Sequence, residues 1–170
     1  AFSFAPEQMP LEQRAAQIRE VVAESVKAHE ISDVEVGAFL SGGIDSSMIA
    51  ALSRPDKTYS VGFANKDFDE TGEAQALCKE LGLRNISKTI TAEEFFDALP
   101  TIQYHADEPN ANLSTVPLYF LSKLAAQDVK VVLSGEGADE LFGGYITYHT
   151  TLPYRVYRKT PLALRKAVAA

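Results

Sequence analysis

Apolar positions along this chain alternate between two periods, and the alternation predicts its elements. After a loose start, Pro10 opens a helix in which Leu11, Ala15, Ile18, Val22 and Val26 recur at close to every fourth position, the spacing of one helix face. A strand follows over residues 34–40, and its apolar stretch 36–40 reads as a parallel strand buried on both sides. Ser41-Gly42-Gly43 stops that strand. Ile44, Met48, Ile49 and Leu52 then mark one face of a helix that ends before Pro55. A strand over 57–63 precedes a helix from about 68 to 81, which Gly82 closes. A strand over 85–90 leads to a short helix around 92–99, a helix over 115–127, a fourth strand over 129–133 and a helix beginning near Ala138. This succession predicts an α/β fold: a doubly wound parallel sheet between two helical layers, a three-layer α/β/α sandwich. Ligands in such sheets bind beyond the carboxyl ends of the strands. The loops after the first and fourth strands are therefore expected to face one site.

The first of those loops, SGGIDSS from Ser41 to Ser47, carries the most chemistry. A strand, a glycine turn and a helix N-terminus make an anion cradle, because free backbone N–H groups and the positive dipole end point at the ligand. Gly42 and Gly43 allow the backbone to approach closely, and Ser41, Ser46 and Ser47 add hydroxyl donors. Asp45 adds a carboxylate, which would repel phosphate unless a divalent cation lies between them. The combination points to a magnesium–polyphosphate site. It is not a Walker A loop, since no lysine sits in the turn. It resembles the SGGxDS signature of the PP-loop ATP pyrophosphatases, which implies the adenine nucleotide alpha hydrolase-like fold and cleavage of ATP between its α and β phosphates.

The segment VVLSGEGADELFGGY, residues 131–145, repeats the design: an apolar strand, a Ser-Gly-x-Gly turn, and acids in the first turn of a helix. By itself, Asp139-Glu140 reads equally well as compensation of the helix dipole. Four stretches together, Leu40–Ser47, Ser60-Val61-Gly62-Phe63, Asp107-Glu108-Pro109 and Ser134–Tyr145, resemble the synthetase domain of the glutamine-dependent asparagine synthetases (asparagine synthase, class B). They stand in that family's order and approximate spacing. The resemblance implies attack of the aspartate β-carboxylate on the α-phosphorus of ATP, loss of pyrophosphate, and displacement of AMP by ammonia. It implies a divalent ion on Asp45 and Asp139, adenosine contacts at Leu40, Val61, Ser134 and Gly135, and a proton-handling role for Glu136 toward the attacking ammonia. It also sets the loop from Asp107 to Thr115 beside the amino-acid pocket, with Asp107, Ser114 and Thr115 as candidate contacts. A surface loop in which Ser114 caps the next helix is the other reading. Tyr145 either reaches the site or packs, and Asp69-Glu70 matches the family or simply begins a helix.

Composition narrows the class. A chain of 170 residues with 46% hydrophobic and 23% charged residues is one soluble domain's worth. A net charge of −7 argues against nucleic acid or an anionic membrane as partner. One cysteine closes no internal disulfide, and Cys78 falls on the apolar face of a predicted helix, so it reads as core. His29, His105 and His149 lack metal-ligand spacing, and His29 suits a helix C-terminus. With neither a transmembrane run nor a signal pattern, the cytoplasm is the expected compartment.

Against the complete family pattern, residues 1–170 correspond to the synthetase domain alone. The glutaminase domain with its N-terminal cysteine and the later helices with a catalytic lysine are expected to lie outside it. The expected partners are accordingly ATP, Mg2+, aspartate, ammonia or glutamine, a glutaminase domain in cis and a second copy as a homodimer. Sister activities on the same scaffold, such as β-lactam synthetases and lasso-peptide cyclases, and a non-catalytic nucleotide-binding module are the alternatives. Phosphoryl transfer to give ADP is disfavoured without a P-loop lysine.

Overall fold

A computed structural model of the chain describes residues 8–65, 69–148, 152–161 and 165. Phe68, His149 and most of the basic C-terminal stretch lie outside these residues. The chain divides into two compact units, Ala1–Gly135 and Glu136–Ala170.

The first unit contains α1 (Leu11–His29), β1 (Val36–Phe39), α2 (Ile44–Ser53), β2 (Lys57–Phe63), α3 (Thr71–Leu81), β3 (Arg84–Ile90), α4 (Ala92–His105), α5 (Thr115–Ala125) and β4 (Val131–Leu133). Its four strands are all parallel, in the order β3-β2-β1-β4. The chain therefore winds outward from β1 through β2 to β3, then crosses back to lay β4 on the other side of β1. The reversal creates a topological switch point between β1 and β4. α2 and α3 cover one face of the sheet, with α1 against α2. α5 covers the other face, with α4 against α5. This is the expected doubly wound α/β/α arrangement.

Strand alternation explains the two faces. Tyr59, Val61 and Phe63 of β2 point toward α4 and α5, where Ile90, Ala98, Ile102, Val116 and Phe120 form one cluster and Tyr59, Ala125 and Val129 another. The opposite face buries Leu40 with Ala50, Ala74 and Cys78. Thr58, Ser60 and Asn85 line that second face as a polar row: Asn85 Nδ2 donates to Thr58 Oγ1 at 3.0 Å and to Ser60 Oγ at 2.9 Å. Cys78 is core, as expected, 3.2 Å from Thr58 Oγ1. Burying the Thr58 and Ser60 hydroxyls is tolerable because they are hydrogen-bonded, whereas Asn85 Oδ1 is buried without a partner.

Element ends depart from the sequence expectation in several places. α4 runs to His105 rather than to residue 99, straight through Pro100. A capping box starts it, with Glu94 N–H donating to Thr91 Oγ1 (3.1 Å) and Thr91 N–H to Glu94 Oε2 (3.0 Å). Burial of Ala98 and Ile102 on one face outweighs the backbone bond that proline cannot make. α5 ends at Ala125, and β4 begins only at Val131. Residues 127–129 are drawn into a tight turn by bonds to the carbonyls of Leu124 and Ala125. β1 starts at Val36, because Val34 N–H is held by Ser32 Oγ at 3.2 Å. α3 begins at Thr71, where the Asp69 carboxylate accepts from Thr71 N–H (3.2 Å) and Oγ1 (2.8 Å). Asp69 is thus a helix-start residue. His29 closes α1 as read, with Nδ1 2.7 Å from the Ser25 carbonyl.

The second unit holds α6 (Ala138–Phe142), one turn of 3-10 helix (Ile146–Tyr148) and α7 (Leu152–Lys159). Left-handed glycines bound α6 on both sides, Gly137 at φ 92° and Gly143 at φ 72°. Among the described residues no helix is long and apolar enough to cross a membrane.

Candidate nucleotide-binding site

Leu40, Ser41, Gly42, Gly43, Asp45, Ser46 and Ser47 run off the carboxyl end of β1 and into the first turn of α2, at the switch point. Ser47 N–H makes the first helical bond, to the Gly43 carbonyl at 3.0 Å. The amides of Ile44, Asp45 and Ser46 are then the orphan donors of the turn, with Asp45 partly buried among them. Two expected hydroxyl donors turn out to be occupied in shaping the loop. Ser46 Oγ donates to the Gly43 carbonyl (3.2 Å), receives Ser41 N–H (3.2 Å), and lies 3.0 Å from Ser41 Oγ. Ser41 Oγ in turn receives Gly43 N–H at 3.3 Å. The cradle presents backbone amides on a loop that its own serines hold in shape.

Two glycines are required by close approach. Gly42, at φ +90°, lies against the start of α3, where a β-carbon would come within 2.8 Å of Glu73 Cβ and 3.2 Å of the Glu70 carbonyl. Gly135, two residues past the end of β4, lies against the loop from the other side. A β-carbon there would meet Ser46 N at 2.7 Å and the Asp45 carbonyl carbon at 2.9 Å. The two Ser-Gly turns, SGGIDSS and the Ser134-Gly135 that follows β4, therefore converge, as the pairing of Ala38 with Leu133 requires. The wall supplied by α3 was not foreseen, because nothing in local periodicity links Gly42 to residues 70–74. Val61, on β2, packs its side chain into the α4–α5 core, which leaves its backbone as the part able to meet a ligand.

Ser60 heads the Ser60-Val61-Gly62-Phe63 stretch of the family resemblance, but the sequence assigned it no role of its own. It is 1% exposed, and its hydroxyl donates to the Leu40 carbonyl at 2.6 Å. The available signal was its place in that stretch, as a polar residue between Tyr59 and Val61.

The loop after α4 is ordered by amides. Gln103 Nε2 donates to the Asn110 carbonyl (2.6 Å), and Asn110 N–H donates back to Gln103 Oε1 (2.9 Å). Asp107 is exposed, at φ 61°. Ser114 stands at the N-cap position of α5, as the surface-loop reading has it, but its side chain makes no cap hydrogen bond. Asn112 orders the turn before the helix, its Oδ1 receiving Ser114 N–H at 3.0 Å and its carbonyl receiving Thr115 Oγ1 at 2.8 Å. Thr115 spends its hydroxyl on the helix start, whereas the exposed Ser114 side chain is not committed to it.

Glu136, Asp139 and Tyr145 belong to the second unit. The Asp139 carbonyl receives the N–H groups of Gly143 (2.8 Å) and Gly144 (3.1 Å), which closes α6. The Tyr145 ring packs edge-on against Tyr148, with centroids 5.4 Å apart, and its hydroxyl donates to Glu140 Oε1 at 2.6 Å. That hydrogen bond holds Glu140 below the usual carboxylate range and pushes the Tyr145 phenol up to about 12. Among the described residues no cluster of three or more acids, histidines or cysteines forms a self-sufficient metal cage. The donor set on the loop, one partly buried carboxylate beside the first amides of a helix, is of the kind magnesium uses when phosphates and water complete its shell.

Comparison with known proteins identifies the family and the fold. The asparagine synthase family model matches residues 17–169. Asparagine synthetase [glutamine-hydrolyzing] 1 of Bacillus subtilis (strain 168) is 44% identical over 168 residues, covering 96% of this chain and 27% of that protein. A putative asparagine synthetase [glutamine-hydrolyzing] of Mycobacterium tuberculosis (strain ATCC 25618 / H37Rv) is 46% identical over 159 residues, covering 91% of this chain and 24% of that protein. The chain thus spans about a quarter of the length of these curated relatives. Among solved structures, a glutamine-dependent NAD+ synthetase from Acinetobacter baumannii in complex with ADP shares the fold, with TM-score 0.50 and 18% identity over 90% of this chain and 30% of that one. On its fold, its paired loops and these matches, the chain belongs to the asparagine synthase family.

Proposed function

We propose that this chain is the synthetase segment of a glutamine-hydrolysing asparagine synthetase. The observation that supports this most is the seating of Gly135 on the Asp45–Ser46 peptide, which joins two anion-type turns at the switch point of a parallel sheet. In the proposed reaction an oxygen of the aspartate β-carboxylate attacks the α-phosphorus of ATP. The bond to the bridging oxygen breaks, and pyrophosphate leaves. Ammonia then attacks the acyl carbon of β-aspartyl-adenylate, AMP departs with the bonding electron pair, and a proton is lost to give asparagine.

The chain's residues have distinct tasks in this reading. The α2 amides and Gly42-Gly43 bind the departing pyrophosphate, where fixed donors stabilise developing charge. The backbone at Leu40, Val61, Ser134 and Gly135 holds adenosine. Asp45 and Asp139 would hold Mg2+, which supplies charge neutralisation on the polyphosphate. Glu136 takes the proton of the attacking ammonia, and Asp107 and Ser114 border the acid substrate. Ammonia comes from glutamine through a glutaminase domain in cis, outside this chain. The enzyme works in the cytoplasm as a homodimer, without nucleic acid or membrane as partner.

Nucleotide product analysis of the full-length protein tests the proposal, with Mg-ATP, ammonium and a panel of acids. AMP and pyrophosphate formed only with aspartate support it. AMP with a different acid assigns a sister activity, and ADP as product overturns the scheme.

A further inference from the structure

We propose that Ser60 is a positioning residue for the nucleotide loop, acting through the peptide that joins Leu40 to Ser41. The inference rests on the reading of that loop as an ATP site. β1 leaves the sheet at this peptide. Its last paired residue is Phe39, opposite Tyr59, and Leu40 N–H still reaches the Tyr59 carbonyl at 2.9 Å. The next peptide unit is gripped at both ends by hydroxyls from two different elements. Its carbonyl, on Leu40, accepts from Ser60 Oγ of β2 at 2.6 Å. Its N–H, on Ser41, donates to Ser46 Oγ of α2 at 3.2 Å.

A peptide unit is planar, so fixing its carbonyl direction fixes its N–H direction as well. Ser60 thereby sets the direction in which Ser41 N–H meets Ser46, and through Ser46 the seating of the first turn of α2. Ser60 is itself held: Asn85 Nδ2 of β3 donates to its oxygen at 2.9 Å, which leaves the hydroxyl proton for Leu40. The restraint runs from β3 through β2 to the point where the loop begins. A serine buried in this row is unfavourable unless its hydroxyl is used, and the acceptor it uses is the loop's own first carbonyl. Thr58 is a built-in comparison. It is equally buried in the same row and bonded to Asn85, but its hydroxyl donates to the Arg84 carbonyl at 3.3 Å, away from the loop.

The test measures the dissociation constant for ATP without acid substrate, and kcat/KM for ATP, in full-length wild type, Ser60→Ala and Thr58→Val. Ser60→Ala leaves the Leu40 carbonyl without its buried donor and is expected to weaken ATP about tenfold in both measurements. The KM for the acid and the ATP affinity of Thr58→Val are expected to stay within about twofold of wild type, as for changes that remove no contact on the loop. An unchanged ATP affinity in Ser60→Ala overturns the proposal, as does an equal loss in Thr58→Val, which would mark a general packing defect. Wild type that binds ATP but forms AMP with no acid refutes the synthetase reading, while the affinity comparison still decides the role of Ser60. Wild type that binds no ATP overturns both.

Discussion

Gly135→Ala is the sharpest perturbation of the site that the structure offers. The added β-carbon would lie 2.7 Å from Ser46 N, 2.9 Å from the Asp45 carbonyl carbon and 3.0 Å from Asp45 Cβ. Ordinary contacts between such atoms begin near 3.5 Å, so one of the two loops must retreat by roughly 0.8 Å. The atoms in the way are mostly backbone at the start of α2 and have no rotamer by which to escape. Overpacking of this kind costs about 1–3 kcal/mol, which lowers the melting temperature. The functional loss is larger than the stability loss, because the displaced peptide is the proposed anion cradle. A misplacement near 1 Å at a reacting centre costs on the order of a hundredfold in rate. Gly82→Ala is the control. Gly82 differs in kind: its φ is positive, +70°, which that of Gly135 is not, and nothing lies within 4 Å of its β-carbon position, so that variant carries backbone strain alone, about 1–2 kcal/mol. Thermal melts followed by circular dichroism and ATP-dependent AMP release, both on the full-length protein, separate the two effects. Both variants melt lower, and only Gly135→Ala loses about a hundredfold in kcat/KM for ATP. Equal ATP turnover in the two variants would refute the convergence of the turns as a functional feature.

Asp45→Asn is expected to abolish ATP cleavage and leave the melting temperature close to wild type; normal cleavage would rule out Asp45 as a metal ligand. Glu136→Gln is expected to slow amide formation more than pyrophosphate release, and equal losses in both half-reactions would remove its role toward ammonia. Burial, followed by the neighbouring Asp128 carboxylate, pushes the Tyr59 phenol up to about 12. A group with a raised folded pKa contributes stability that is fully present below its unfolded value near 10 and is lost as pH climbs to about 12. Denaturant titrations of wild type and Tyr59→Phe across that window should show a shallower alkaline decline in the variant, and parallel declines would contradict the buried position. Pro100→Ala should stabilise the chain by about 2 kcal/mol in urea unfolding: relief of an interior-helix proline, about 3 kcal/mol, exceeds the loss of chain stiffness, up to about 1 kcal/mol. No gain would mean that α4 bends to use the proline.

The amino-acid sequence by itself determined whatever depends on neighbours along the chain. The 57–63 strand, the helix closed by Gly82 and the turn at Ser41-Gly42-Gly43 were legible because periodicity and glycine punctuation are local, and the observed elements match them. The order of strands and helices also implied a parallel sheet, since crossover connections leave few alternatives. Local rules failed where burial prevailed. Pro100 predicts a stop, yet Ala98 and Ile102 lie on a face that α5 covers, so the helix continues to His105. Ser114 has the chemistry and the position of a cap, yet its hydroxyl makes no cap bond, and Asn112 orders the turn before the helix. Contacts between residues far apart in the chain were decided by the tertiary structure alone. Gly135 against Asp45–Ser46, Gly42 against the start of α3, and Ser60 beneath the Leu40 carbonyl all depend on strand order and register. Register turns a motif into a site because a shift of one residue would send each strand's side chains to the opposite face.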